Sequence, residues 1–420
     1  MKKFTALFYI IISAAFTTIH AQDVLTIDEC YALAKNNYPL LKQMSVIERS
    51  KEYSLDNAAK GYLPQINFSG QATYQSDVTK IPVNIPNVNV PVLNKDQYKI
   101  YTELSQSLTD PYNIKRQKEL IQANASIERE QLETELYKLK ERINQVYFGI
   151  LLIDAQLVQN TILKKDIQAG IDKATAGIAN GVALKSSADV LKAELLKAEQ
   201  RAIELKAGRK GYTDMLTVFI NKPVDENSKL QMPVSQVMGT GINRPELKWY
   251  EAQKKSIVIQ NKLITARNIP KANLFIQGGY ANPALNFLKN GFEFYYIGGL
   301  RLNWNLSGLY TAKKERQQLR LNQAAIDIQK EAFLFNNNIL LKQQGSEINK
   351  FKELIDTDNQ IILLRERIKS TANSQLEFGT ISANDFVSYV NAEDQARQSL
   401  LLHQVQLLMT QYTYQSTSGN

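Results

Sequence analysis

The chain has 420 residues, long enough for two or three ordinary domains. Hydrophobic residues make up 44% and charged residues 22%, the balance of an ordered protein and not of a disordered one. The formal charge of +9 is mild for this length, and Lys and Arg are interleaved with Asp and Glu along helical stretches, so a nucleic-acid-binding stripe is disfavoured and no nucleic-acid partner is expected.

Residues 1–21, MKKFTALFYIIISAAFTTIHA, join two lysines, an apolar run and a small residue at Ala21. This is the pattern of a secretory signal peptide cut before Gln22. The alternative, an N-terminal membrane anchor, is opposed by the short run and by the lack of a stop-transfer pattern after it. Without this leader one cysteine, Cys30, and one histidine, His403, remain. Cys30 cannot form an internal disulfide and reads as a small buried helical residue. His403 lies in LLHQVQLL, a helical apolar run, and reads as a packed or surface side chain. Zinc sites draw on Cys and His clusters, and nucleophile triads need a placed histidine. No GxGxxG, GxxxxGK[ST] or HExxH occurs. We therefore expect no enzyme, no cofactor and no metal.

In chain order, Thr26 and Glu29 make a T-x-x-E capping box opening a helix over 26–36. Pro39 suits the first turn of a second helix running to about Lys60. A strand follows at about 64–76, then the loop IPVNIPNVNVPVLNKD at 81–96, then a strand at about 97–108. In the first strand Ile66, Phe68, Gly70, Ala72 and Tyr74 share one face and Asn67, Ser69, Gln71 and Thr73 the other. A long helix is predicted at about 112–179. Leu132, Leu136, Leu139, Ile143, Val146, Ile150, Ile153 and Leu157 form a heptad seam along it, so it packs lengthwise on a partner. At 1.5 Å per residue it spans roughly 100 Å. A break at Gly181 precedes another helix to Asn221, and residues 222–243 form a linker. The second half reads as a helix at 245–267, strands at about 271–281 and 292–306, a long helix at about 311–377 and a helix at 382–412.

The halves repeat. Pro39, Pro64 and Tyr74 match Pro245, Pro270 and Tyr280 at one offset; Leu136, Ile143, Ile150 and Leu157 match Leu334, Leu341, Ile348 and Ile355 at a second. The sequence is a tandem duplication of helix, strand, strand, long helix and helix. The first repeat covers 22–230 and the second 231–420.

The strand pattern alone leaves two readings open: the apolar face meets a protein core, or it meets lipid while the polar face lines water. A membrane barrel must close, because an open edge leaves backbone groups unpaired in hydrocarbon. Four strands fall short of the eight with which single-chain barrels begin. If the strands are in lipid, several chains must pool them, and three chains make twelve. Arg301, Asn303 and Asn305, on the polar side of the last strand, would then face the lumen.

LTIDECYALAKNNYPLL near the start, NRPELK with TARNIPKANLFIQGGY after it, and the two glycine-centred breaks together resemble the TolC family of outer-membrane efflux proteins, over essentially all of the chain beyond the leader. The resemblance implies a mainly α protein with a small membrane β part, a homotrimer whose 12-stranded β-barrel continues as a long α-helical barrel. It implies an outer-membrane location reaching into the periplasm, a periplasmic adaptor, an inner-membrane pump of RND or ABC type, and a tip gated by helix rearrangement. Tip residues carry over singly. FGTISANDFV puts Asp385 where a constriction aspartate is found; the next aspartate is replaced by Ser388, and a tip-closing arginine by Ile381. GVALKSSADV puts Asp189 near the matching aspartate after a two-residue insertion. Gly181 and Gly379 mark the tip turns for adaptor docking. For Asp385 and Asp189 the plainer reading is a helix N-terminal aspartate that favours the macrodipole. The function expected is a passive exit duct of a tripartite efflux system. The alternatives are the duct of a type I protein-secretion system, or a periplasmic coiled-coil scaffold without a pore.

Overall fold

The computed structural model describes residues 24–80, 82, 92–236, 239 and 241–420. The signal peptide assigned to 1–21 and positions 81 and 83–91 of the proline-rich loop lie outside the described residues. In chain order the elements are α1 (Ile27–Asn37), α2 (Gln43–Ala59), β1 (Gln65–Tyr74), β2 (Asp96–Ser107), α3 (Asp110–Tyr137), α4 (Leu139–Ala179), α5 (Lys185–Ile220), α6 (Pro245–Arg267), β3 (Lys271–Asn282), β4 (Glu293–Asn303), α7 (Gly308–Glu377) and α8 (Ala383–Ser418). Thr26 caps α1, its side-chain oxygen accepting the Glu29 amide at 3.2 Å, as T-x-x-E predicts. Pro39 opens a 3₁₀ turn, Pro39–Lys42, ahead of α2. The helix expected over 112–179 is interrupted at Lys138, which keeps right-handed dihedrals of φ −63° and ψ −17° and so amounts to one loosened residue in a helical run. α8 runs past the expected position 412 to Ser418 and stops where Gly419 turns left-handed at φ 86°.

The chain forms two compact units. One comprises Met1–Leu41, Glu133–Pro245 and Phe333–Asn420; the other comprises Lys42–Leu132 and Glu246–Ala332.

The first unit is helical, and its packing follows the heptads. In α4, Leu139, Ile143, Val146 and Ile150 are buried; Ile153 and Leu157 are half-buried, and the seam resumes at Leu163, Ile167, Ile171 and Ala174. The α7 stripe is Asn337, Leu341, Gln344, Ile348, Phe351, Ile355, Asp358, Ile362, Lys369, Ala372 and Leu376, all buried or half-buried. Residues three and four apart share a helix face, so this stripe holds one side of α7 inward while the rest stays exposed. Near the ends of these helices α4, α5, α7 and α8 meet in one core of Leu163, Ile167, Ile171, Leu191, Ala372, Phe386 and Val390. Gly170 makes that core possible: a Cβ there would sit 2.6 Å from a Phe386 ring carbon. His403 Nδ1 lies 2.6 Å from an Asp358 carboxylate oxygen, so the lone histidine of the described residues is a packed partner of a buried acid. Cys30 is fully buried, and burial, with the charge of Glu29, pushes its thiol up to about 12, which leaves it unreactive.

The linker is pinned to this unit. Leu25 pairs with Leu230 in a parallel bridge, and the buried Tyr147 hydroxyl lies 2.8 and 2.7 Å from the carbonyl oxygens of Leu25 and Gln231. Arg209 donates to Asp154 at 2.5 Å and to the carbonyls of Asp225 and Ser228 at 3.1 and 3.0 Å. These bonds satisfy loop carbonyls that would otherwise be desolvated unpaired.

The second unit holds α2, α6, the adjoining parts of α3 and α7, and one antiparallel sheet in the order β1-β2-β3-β4. β2 pairs with β3, joining strands from the two halves of the chain; β1 and β4 each have a single strand partner. Among the described residues one helical stretch, Asp110–Ala179, is long and apolar enough to cross a membrane by length and composition. Its apolar residues Ile143, Val146, Tyr147, Phe148 and Ile150 are buried against protein, which assigns them to packing.

Gly170→Val is expected to force Phe386 out of its seat. Overpacking costs about 2 kcal/mol, more than the helix gains by losing a glycine. Hydrogen exchange read over residues 383–390 should be faster by about 30-fold.

Candidate functional site

The register of the sheet sorts its side chains onto two faces. On one lie Ile66, Phe68 and Tyr74 of β1, Tyr98, Ile100 and Leu104 of β2, Leu274, Ile276 and Tyr280 of β3, and Phe294, Tyr296, Leu300 and Leu302 of β4. Every one of these is exposed. On the other lie Asn67, Ser69, Lys99, Glu103, Asn273, Gln277 and Arg301 with Tyr101, Tyr295 and Phe275, and these are mostly buried or half-buried. Adjacent residues give the contrast directly: Phe294 is 86% exposed and Tyr295 8%. The sheet therefore curls around its polar face and presents its apolar face outward, the reverse of a sheet that covers a soluble core. The apolar band runs over six rows, from Ala272 and Leu302 to Ala72 and Tyr98. Two residues per row and a tilt of about 40° make it about 25 Å tall, the height of a membrane barrel's lipid-facing band. Tyr98, Tyr280, Phe292 and Phe294 cluster at its loop end, with ring centroids 4.8–6.1 Å apart. Trp304, at the other end, donates to the Asn268 carbonyl at 3.0 Å.

The polar face is braced across strands. Arg301 binds Glu103 through both guanidinium nitrogens, at 2.8 and 3.0 Å, and lies 4.2 Å from the Phe275 ring centroid. Gln277 donates to the Tyr295 hydroxyl at 2.8 Å. Of the three residues expected to face a lumen, Arg301 and Asn303 belong to this face. Asn305 does not: β4 ends at Asn303, three residues before the expected end. Asn305 instead accepts the amide and hydroxyl of Ser307 at 3.1 and 2.6 Å, an Asx turn that starts α7.

The two predicted turns lie in the helical unit and are built alike. Gly181 has φ 76° and Gly379 φ 67°, a left-handed conformation that glycine adopts without strain. After each, amides close back on the preceding helix: Val182 to the Gly177 carbonyl at 2.9 Å, and Thr380 to that of Gln375 at 2.9 Å. Both are Schellman caps. The turns adjoin, since a Cβ on Gly379 would lie 3.3 Å from the Val182 carbonyl oxygen. They expose Val182, Leu184 and Phe378.

The aspartate and its neighbours at these turns play unequal parts. Asp385 is the third residue of α8 and completes a capping box: it accepts the Ser382 amide and hydroxyl at 3.2 and 2.6 Å, while the Ser382 oxygen accepts the Asp385 amide at 3.1 Å. The plainer reading of this residue thus describes its local role. Asp189 is exposed on α5, two residues beyond the equivalent position, and the N-cap there, Leu184, offers no side-chain bond. Ser388 is exposed on α8. Ile381 packs on the core with Phe386 and Ala383, so the side chain replacing the expected arginine holds the turn by burial.

The sequence did not single out the strongest polar assembly. Lys369 on α7 bonds Asp166 on α4 at 2.9 Å and Glu393 on α8 at 3.2 Å. Glu393, only 1% exposed, also pairs with Arg397, which reaches Glu366 on α7. Burial works against a charged Lys369, but its two carboxylate partners outweigh this and hold it above the usual lysine value. Beside them burial pushes Asp394 up against the opposing amide bonds of Gln159 and Gln398. In sequence only the i,i+4 spacing of Glu393 and Arg397 hinted at a pair. Among the described residues no group of His, Cys, Asp and Glu side chains gathers as metal ligands.

No protein-family profile and no curated protein matches the chain. Solved structures do. The outer-membrane channel OprN is 14% identical, with 94% of this chain and 90% of that chain covered and a TM-score of 0.67. The open state of the Neisseria gonorrhoeae outer membrane channel MtrE is 13% identical, with 94% and 89% covered and a TM-score of 0.66. The Campylobacter jejuni outer membrane channel CmeC is 13% identical, with 94% and 85% covered and a TM-score of 0.63. The chain has the fold of these outer-membrane channels. In this channel fold, mainly α with a small antiparallel sheet, the curled sheet and the two capped turns are the features with functional content.

Removing Lys369 would leave Glu393 buried with one partner fewer. Lys369→Met is expected to cost about 3 kcal/mol, read by hydrogen exchange over α8. Because the folded pKa of Lys369 is raised, its contribution is present in full below the ordinary lysine value of 10.5 and fades as pH rises through the raised one. The difference from the parent should stay flat from about pH 7 to 9 and shrink above about 10.5. Asp385→Ala should loosen the start of α8 by about 1 kcal/mol, and Asp385→Asn by less, as a cap requires.

Proposed function

We propose that the chain is the outer-membrane exit duct of a tripartite efflux system, a homotrimer of the TolC type that lies in the outer membrane and extends into the periplasm. The observation that carries this is the inverted sheet: an exposed apolar face about 25 Å tall backed by a curled polar face. The sheet has two singly paired edge strands, β1 and β4. Lipid offers their backbone groups no partners, and four strands are too few to close. Three copies joined edge to edge make twelve strands and remove every edge.

On this reading the duct does no chemistry. Cargo passes along the polar faces, and the two adjoining Schellman turns, with Val182, Leu184 and Phe378 exposed, form the periplasmic end that meets an adaptor protein and, through it, an RND or ABC pump. Gating is a rearrangement of helices at that end, where Asp385 and Asp189 from three copies would ring the opening. The halves 22–230 and 231–420 are read as duplicated structural repeats, each contributing one hairpin's worth of strand. The likeness to the channels OprN, MtrE and CmeC supports the duct over a periplasmic scaffold without a pore, as does the outward apolar face, for which a scaffold has no use. The duct of a type I protein-secretion system shares this architecture and is the second reading.

Substitutions on the two faces separate lipid from core. Phe68→Arg, near mid-height of the band, should cost about 2–4 kcal/mol in the membrane and sharply reduce the heat-stable trimer recovered in detergent. Asn67→Arg, one residue away on the polar face and opposite Glu103, should leave trimer yield unchanged. Equal loss from both, or a monomer stable in plain buffer, would rule out the barrel.

A further inference from the structure

The charges on the polar sheet face are nearly all neutralised in place. Glu103 is engaged by both guanidinium nitrogens of Arg301. Lys271 pairs with Asp110 at 3.3 Å, and Glu293 with Lys289 at 2.7 Å. Lys99 is different. Among the described residues its ammonium meets no carboxylate within ion-pair distance; it lies 4.7 Å from the Tyr101 ring centroid and 5.1 Å from that of Tyr295. The cross-strand neighbours are Gln71 and Ala281, both uncharged. Tyr295 is itself buried and fixed by Gln277, so the platform under the ammonium is rigid.

Aromatic faces hold a cation by their quadrupole and leave its net charge intact. Lys99 also lies within electrostatic reach of Glu103, but that carboxylate is already bound by Arg301, so the three groups together leave one net positive charge at a set height on the concave face. We propose that Lys99, seated on Tyr101 and Tyr295, forms in the assembled trimer a ring of three cations that makes the barrel lumen select for small anions. The proposal rests on the duct reading, which turns this face toward water and brings three copies to one level. Rings of like charge at a constriction set pore selectivity, and salt limits their reach to about 10 Å at 0.1 M. The ring therefore acts on ions crossing its own plane, and most strongly in dilute salt. The aspartates at the helix turns belong to another part of the chain and are not needed for it.

The test is single-channel recording of the full-length trimer in planar bilayers under a potassium chloride gradient, with reversal potential giving the chloride-to-potassium permeability ratio. The parent should favour chloride. Lys99→Gln should lower the ratio by about twofold or more, with a larger effect at about 0.05 M than at 1 M salt. Lys99→Arg should retain the parent ratio. Lys99→Met, which keeps the aliphatic packing on both rings, reads the same loss if Lys99→Gln does not assemble. An unchanged ratio in conducting Lys99→Gln or Lys99→Met channels overturns the proposal and leaves the duct intact. A parent that stays monomeric in detergent and inserts no trimer into bilayers overturns the duct reading, and the anion ring with it.

Discussion

The backbone groups along the free edges of β1 and β4 constrain this protein more than any other feature. Each edge strand offers a row of N–H and C=O groups to one side only, and the face beside them is apolar and turned outward. Water could satisfy those groups, but water would also have to solvate Phe68, Phe294, Tyr296 and Leu300. Hydrocarbon accepts the side chains and rejects the edges. On the duct reading the two demands are met together when β1 of one copy pairs with β4 of the next, which is why a sheet of four strands would need neighbours. The curl of the sheet serves the same end: it folds the polar side chains inward, where Arg301, Glu103, Gln277 and Tyr295 satisfy one another across strands.

The helical unit solves another problem. Long seams of Leu, Ile and Ala pack well in more than one register, because a shift by a heptad restores the pattern. Polar residues inside the stripes break that degeneracy. Asp358 meets His403, Lys369 meets Asp166 and Glu393, and Gln159 meets Asp394, each pair joining different helices. A slipped register would bury these groups unpaired, at a cost of several kcal/mol each. Such contacts hold the helices of this unit in one register.

Much of this fold was legible in the residues. The T-x-x-E cap at Thr26, the helix start at Pro245 and the glycines at 181 and 379 act locally, through rules that need no partner, while the heptads of α4 and α7 mark by their period the stripe that a partner must cover. Strand positions were legible to within a few residues, except that Asn305 belongs to a turn that alternation cannot distinguish from strand. Whether the apolar face turns inward to a core or outward was not legible, since alternation is the same in both cases and only the burial of the opposite face decides. The pairing of Lys369 with Asp166 and Glu393 was hidden for another reason: charges on a helix read as solvated until the neighbouring helices are known. Asp385 shows a local rule that the sequence carried in plain view, its carboxylate completing a capping box with the Ser382 amide and hydroxyl. Ile381, which stands where the resembled family has an arginine, packs on the apolar core beside its turn.

The sheet also sets a timetable. β2 cannot find β3 until both halves of the chain have been made, for Thr109 and Ala272, bonded at the base of that pairing, stand 163 residues apart. Helical hairpins closed by glycine turns form from near neighbours and can be in place early, while the joining of distant strands is slow. The nascent molecule therefore spends its youth with greasy ribbons waiting for their mates. On the duct reading, these strands must be shielded on the way to the bilayer until the last one arrives.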